Sequence, residues 1–132
     1  MSAAFRYHAP ILTQGIDNLV ALYDAGATLA CGNDGGIPPL TPAMVGYELE
    51  HLRLVLGGAS GGRPFGGAES VRCATCNSAR AVGASSHRGV LAPGAVADFV
   101  MYNVNPLEHP EVIGEVAQGV VAGGVPVHGL TK

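Results

Sequence analysis

The chain has 132 residues and a formal net charge of −3, with 48% hydrophobic and 13% charged residues. This length can bury one modest core, and so few charged residues argue against a disordered chain. No basic run occurs, which argues against nucleic acid or an acidic membrane surface as a partner.

The lack of a recognisable targeting signal and the small number of cysteines predict a cytoplasmic protein. The N-terminal segment MSAAFRYHAP lacks the apolar core of a secretory signal. No apolar run reaches the roughly 18 residues that a membrane helix needs. Three cysteines are too few, and odd in number, for a disulfide framework, which fits a reducing compartment.

The first predicted elements are a helix over residues 11–25 and a buried strand over residues 27–31. Apolar residues at spacings of three and four form one helix face: Leu12, Ile16, Leu19, Val20 and Tyr23. Gly26 is placed to end this helix. The apolar run ATLAC that follows is typical of a strand covered on both faces of a parallel sheet, so we expect an α/β fold.

Two further helices are predicted, over residues 41–56 and 68–82. The first begins at a Thr-Pro pair, which fits the N-cap and first helical position. Its inward-facing residues should be Met44, Leu52 and either Val55 or Leu56. The second ends at Gly83. Between the two helices, GGASGGRPFGG predicts a flexible loop without the GxxxxGK[ST] pattern of a phosphate-binding loop.

The last third of the chain is predicted to be mostly β. Strands are expected over residues 97–102, 116–122 and 125–128, with a turn at Gly123 and Gly124. We expect these strands to form a small sheet packed beside the α/β part.

Asp34 is the strongest candidate for a functional residue. It follows the C-terminal end of the predicted strand over residues 27–31, where α/β proteins collect their functional side chains. Gly35 and Gly36 would let a ligand or metal approach the backbone closely. The alternative, which the local pattern alone favours, is that Asp34 caps the next turn through its side chain.

Four segments of the chain carry a resemblance to a known family: LYDAGATLACGNDGG, TPAMVGYELEHL, ESVRCATCNSARAVG and GVLAPGAVADFVMYNVNPLEHP. Together they resemble the C-terminal part of metal-dependent amidohydrolases, in the imidazolonepropionase and prolidase-like branch. The third resembles that family's A-T-x-N-x-A-x-x-L-G helix. The fourth resembles its G-x-I-x-P-G-x-x-A-D-L-V-x-x-x-x-N-P return into a β-sandwich. The spacing agrees over nearly all of residues 11–129.

The resemblance implies an α/β fold that is the C-terminal fragment of a (β/α)₈ TIM barrel plus part of a small β-sandwich. The last barrel strand and its flanking helices would occupy residues 1–88, and the sandwich segment residues 89–132. The implied activity is hydrolysis of carbon–nitrogen bonds other than ordinary peptide bonds, such as an amide or cyclic amide, in a small-molecule substrate.

The resemblance also implies a role for Asp34, which matches the family's acidic residue after the last barrel strand. Asp34 would ligate a divalent metal, with zinc expected, or lie beside it. It would also accept a proton from the metal-bound water and pass it to the leaving nitrogen. Asn33 departs from the family pattern, which usually has Thr or Ser at this position.

Most of the family's metal site has no counterpart in this sequence. The His-x-His pair of the first strand is missing, whereas a catalytic zinc typically takes three protein ligands. A TIM barrel also needs at least about 200 residues. We therefore expect a fragment, a truncated reading frame or one part of a split enzyme, inactive alone. An orphan strand should leave an apolar surface that self-associates or pairs with the missing barrel part. The alternative is a non-catalytic assembly module that pairs with another chain.

The cysteines offer a third possibility. Cys73 and Cys76 form a CxxC pattern that could be a redox pair or half a zinc site completed by Cys31. Because the pattern lies within a predicted helix and lacks the context of known redox motifs, we expect small cysteines buried in the core.

Five other polar residues are expected to have mainly structural roles. Asp98 should accept backbone N–H bonds at the start of a strand, and Asn77 should cap or pack within its helix. Glu48 should be a solvated helix charge. His8 could reach the site from the N-terminal segment, and Arg63 could guide an acidic substrate, but a surface or packing role is favoured for both.

Overall fold

The structure is a computed structural model that describes residues 3–36, 44–59, 63–84 and 87–129. Within these ranges, the α-helices precede a small antiparallel sheet, and a 3₁₀ turn lies between its first two strands. The helical segments are α1 (Ala3–Asp24), α2 (Val45–Ala59), α3 (Gly67–Arg72), a π turn (Cys73–Asn77), α4 (Ser78–Ala81) and a 3₁₀ turn (Pro110–Val112). The strands are β1 (Phe99–Met101), β2 (Gly119–Ala122) and β3 (Val125–His128). None of the described helices is long and apolar enough to cross a membrane.

Helix α1 ends at Gly26, as predicted. Gly26 has a φ of +92°, and its N–H donates to the Tyr23 carbonyl at 2.9 Å. The Ala27 N–H donates to the Leu22 carbonyl at 3.0 Å, which completes the paired bonds of a Schellman motif. The helix starts earlier than expected, at Ala3, and contains Pro10.

The strand predicted over residues 27–31 is wrong, because this segment forms no strand. A strand exists only when a neighbouring strand pairs its backbone, and no described segment lies beside it in that way. Helix side chains bond this backbone instead. Asn77 donates its amide Nδ2 to the Leu29 carbonyl at 2.8 Å, and the Cys31 N–H donates to the Ser78 hydroxyl at 3.1 Å.

The core lies between α1, α2 and residues 65–73, which include α3. Its buried members are Tyr23, Leu49, Leu56, Phe65 and Cys73. Leu49 and Leu56 are two helical turns apart, so they share one face of α2. Leu56 confirms the prediction for this helix, Leu52 and Val55 pack at the margin, and Leu49 was not predicted. The predicted Thr-Pro start of α2 lies outside the described residues.

Phe65 corrects the prediction of a flexible loop between the two helices. Only 4% of its surface is exposed, and its ring meets the Tyr23 ring edge-on, with the centroids 5.6 Å apart. A pair of aromatic rings in this geometry is stabilising beyond the area that it buries. This part of the glycine-rich segment is therefore anchored in the core.

The third predicted helix is present as α3, the π turn and α4 in succession. It ends with a second Schellman pair, in which the N–H groups of Gly83 and Ala84 donate to the carbonyls of Arg80 and Ala79 at 3.1 and 2.7 Å. Gly83 has a φ of +75°, so its predicted role as the helix stop is confirmed.

The sheet confirms the β prediction for the last third of the chain. Its strand order is β1-β2-β3, and both pairings are antiparallel. Gly123 and Gly124 join β2 to β3 with φ values of +56° and +80°, the backbone that a tight hairpin turn requires. The Asp98 prediction is also confirmed, because its Oδ1 accepts the Gly123 N–H at 2.6 Å.

The C-terminal third reaches the helices through a close backbone approach at Gly89. A Cβ atom added there would lie 2.8 Å from Cys76 Cα and 2.9 Å from Ala79 Cβ. Only glycine fits this gap, so the segment before β1 lies directly on the π turn. The helices and the small antiparallel sheet agree with the predicted α/β fragment. The boundary between a barrel portion and a β-sandwich segment at residues 88 and 89 stays a prediction.

Candidate functional site

Asp34 lies on the loop that follows residues 27–31. Its φ of +50° makes it the one non-glycine residue with positive φ among the described residues, and such a conformation is uncommon outside glycine. The side chain is exposed. Within the described part of the chain its carboxylate forms no hydrogen bond or ion pair. Among the described residues, Asp34 therefore combines a left-handed backbone conformation with an exposed carboxylate.

Asn33, rather than Asp34, caps the turn at this point. The Asn33 side-chain oxygen accepts the Gly35 N–H at 3.2 Å, which forms the local turn that Asn and Asp side chains favour. The capping role that the local sequence pattern favoured for Asp34 is thus filled by its neighbour. Within the described residues, the Asp34 side chain takes no part in this turn.

Glu48 holds the same loop from helix α2. Its carboxylate oxygens accept the Gly32 N–H at 2.9 and 3.2 Å, so it is not the purely solvated charge that we expected. The bond places a second carboxylate on the loop that carries Asp34. The bonded residues are 16 positions apart in the sequence, and no local pattern in the sequence signals the bond.

The described residues do not supply a complete metal site. No group of three His, Cys, Asp or Glu residues with metal-binding geometry occurs among them. A catalytic zinc typically takes three protein ligands, so Asp34 does not fit such a metal without ligands from elsewhere. The side chain of His8 lies outside the described residues, and its predicted reach to the site stays a prediction.

The cysteines pair differently from the CxxC pattern. Cys31 donates its thiol to Cys73 with the two sulfurs 3.8 Å apart, whereas the Cys76 thiol is directed at the Arg72 carbonyl and the Asn77 side chain. The hydrogen bond raises the pKa of Cys31, the donor, and lowers the pKa of Cys73, the acceptor. Cys73 is fully buried, which confirms a core position for that cysteine.

Arg63 contacts the end of α1. Its guanidinium lies 4.5 Å from the centre of the Tyr23 ring and donates to the Ala27 carbonyl at 3.4 Å. A cation over an aromatic face is stabilising. These contacts support the packing role that was favoured for this residue.

The comparisons with known proteins give one match. The model of a family described as the amidohydrolase family matches residues 3–128. No curated protein and no solved structure shows a significant match. The match includes the Asp34 loop, the π turn and the C-terminal sheet, and it agrees with the resemblance carried by the four sequence segments. The chain therefore belongs to the amidohydrolase family.

Proposed function

We propose that this chain is the C-terminal part of a metal-dependent hydrolase that cleaves amide or cyclic amide carbon–nitrogen bonds other than ordinary peptide bonds. Membership of the amidohydrolase family supports hydrolase function, and amidohydrolases generally use divalent metals. We place it in the imidazolonepropionase and prolidase-like branch on the four motifs. The proposal includes a cytoplasmic location and a small-molecule substrate.

The proposal rests on Asp34, which is the residue of this chain that we place in the reaction centre. Its carboxylate is exposed and unengaged within the described residues, and Asn33 and Glu48 hold the loop on either side of it. A carboxylate in this state can accept and return a proton. In the complete site Asp34 would also be one ligand of the divalent metal, with zinc as the expected ion. The other ligands would come from outside this chain.

The proposed architecture is the last part of a (β/α)₈ barrel over residues 1–88 and part of a β-sandwich over residues 89–132. Two observations support a missing partner. Residues 27–31 are half-buried for the most part and bonded by side chains rather than by strands. Helix α1 also exposes large apolar residues: Ile11 at 56%, Leu12 at 65% and Leu22 at 58%. Pairing with the remaining barrel strands would cover both features and complete the ligand set.

The test uses the native protein from its source cells, isolated with an antibody to this chain. We expect either a polypeptide longer than 132 residues or a second chain that co-purifies, with bound zinc detected by elemental analysis. In that preparation, Asp34→Asn should lower kcat on amide and cyclic amide substrates by at least about 100-fold. Asp17→Asn makes the same chemical change on an exposed part of α1 and should leave kcat unchanged.

Two results would count against the proposal. One is a native protein of 13.3 kDa that is monomeric, free of metal and alone in the preparation. The other is an Asp34→Asn variant with the activity of the unaltered protein, which would remove Asp34 from the reaction centre.

A second candidate function is a non-catalytic assembly module, and the exposed apolar residues of α1 favour it. In this case the chain forms a complex in which Asp34→Asn has no effect, whereas the double substitution Ile11→Gln and Leu12→Gln releases the partner. Under the hydrolase proposal the same α1 variant should lower activity together with association. The two functions therefore differ in their response to Asp34→Asn.

A further inference from the structure

The contact between Cys31 and Cys73 has a geometry that the proposed hydrolase does not use. The two sulfurs lie 3.8 Å apart, and a disulfide requires about 2.05 Å. The sulfurs therefore need to approach by less than about 2 Å to form the bond. The residues are 42 positions apart, so the contact is a product of the fold.

The thiols of Cys31 and Cys73 lie next to each other but differ in burial, and the third thiol is directed elsewhere. Cys73 is fully buried in the core, and Cys31 is half-buried on the segment that leads to Asp34. Cys76 is turned away, with its thiol directed at the Arg72 carbonyl. A buried thiol beside a partly accessible one suits a two-step exchange, in which the accessible sulfur reacts first and the buried sulfur resolves the product.

We propose that Cys31 and Cys73 form a reversible intramolecular disulfide in exchange with a small-molecule disulfide such as oxidised glutathione. The Cys31 thiolate attacks one sulfur of the external disulfide, breaking its S–S bond and releasing one thiol. The Cys73 thiolate then attacks the Cys31 sulfur, forms the internal bond and releases the second thiol. Two electrons pass from the protein to the external disulfide, and the two protein protons end on the released thiols.

The bridge would join the Asp34-bearing segment covalently to the π turn. In the reduced protein that connection rests on side-chain bonds, such as those from Asn77 and Ser78. The oxidised protein would therefore hold residues 27–34 more tightly, and this effect does not depend on hydrolase activity. The hydrogen bond to Cys73, partial burial and the nearby Glu48 carboxylate all raise the pKa of Cys31, so we expect the reaction to be slow at neutral pH and faster as the pH rises.

The test treats the native protein, isolated as for the hydrolase proposal, with oxidised glutathione, blocks the remaining thiols with iodoacetamide and maps the peptides of this chain by mass spectrometry. We expect a cross-link between the peptides that carry Cys31 and Cys73, with Cys76 alkylated, and full reversal by dithiothreitol. The Cys76→Ser control should form the same cross-link, whereas Cys31→Ser should form none. Hydrogen exchange in residues 27–34 should be slower in the oxidised chain than in the reduced chain.

Three results would overturn the proposal, and each is readable in the unsubstituted chain even where a variant fails to fold. The first is a bridge between Cys73 and Cys76, and the second is a stable glutathione adduct on Cys31. The third is a native chain in which all three thiols stay reduced while the urea-unfolded chain is oxidised under the same conditions.

Discussion

The Ser78 hydroxyl binds the backbone of residues 27–31 where no described strand does, and the loss of stability on removing this hydroxyl should be measurable. It accepts the Cys31 N–H at 3.1 Å and donates to the Cys73 carbonyl at 2.7 Å. Ser78→Ala leaves the Cys31 N–H without its acceptor in a half-buried place. An unsatisfied buried polar group costs about 1–3 kcal/mol. We therefore expect the free energy of unfolding to fall by about 1–3 kcal/mol, a large fraction of a typical stability of about 5–15 kcal/mol.

Urea unfolding at a fixed protein concentration measures this loss, and hydrogen exchange at the Cys31 amide locates it. Thr28→Ala removes an exposed hydroxyl from the same segment and should change the stability by no more than about 0.5 kcal/mol. Ser78→Thr keeps a hydroxyl and should recover part of the loss. A Ser78→Ala chain as stable as the Thr28→Ala control, with unchanged exchange at Cys31, would refute the idea that side chains hold residues 27–31.

Three further predictions concern the packing and the pH dependence of the fold. Gly89→Ala should destabilise the chain by about 1–3 kcal/mol, because its Cβ would lie 2.8 Å from Cys76 Cα at a φ of +81°. Urea unfolding measures this loss of stability. An unchanged free energy of unfolding would contradict the close approach of the two segments. Gly15→Ala, the matched change in open space within α1, should instead stabilise by about 0.5–1 kcal/mol, and a loss would contradict the helix at that point. Backbone and His109 hydrogen bonds lower the pKa of Glu111, so its stabilising contribution is present above a glutamate's ordinary pKa and is lost as the pH falls through the lowered one. Glu111→Gln should make the free energy of unfolding less dependent on pH in that range. A pH dependence identical to that of the unsubstituted chain would contradict the contribution assigned to Glu111.

Features set by neighbouring residues were predictable from the sequence. Gly26 and Gly83 end their helices because each supplies the left-handed backbone that a Schellman motif needs. Gly123 and Gly124 turn the hairpin for the same conformational reason. The position of the Asp34 loop was also predictable from neighbouring residues, because an acidic residue after an apolar run marks the end of a buried segment.

Features set by distant residues were not predictable. The apolar run over residues 27–31 has the composition of a strand, but composition does not show whether a neighbouring strand exists. Phe65 is surrounded by glycines in the sequence, and only the position of Tyr23 explains its burial. The bond from Gly32 to Glu48 and the contact between Cys31 and Cys73 join segments that no periodic pattern connects.

The π turn makes the continuous helix formed by α3, the π turn and α4 sensitive to the insertion or deletion of a residue. Consecutive residues of a regular α-helix point about 100° apart, yet Asn77 and Ser78 both bond the segment at Leu29 and Cys31. The wider turn at Cys73–Asn77 carries one additional residue per turn, which changes the angular register of everything after it. Deleting one residue there would restore an unbroken α-helix with favourable backbone bonds. The resulting helix would be more regular, and it would no longer present both side chains to residues 27–31, the segment that leads to Asp34.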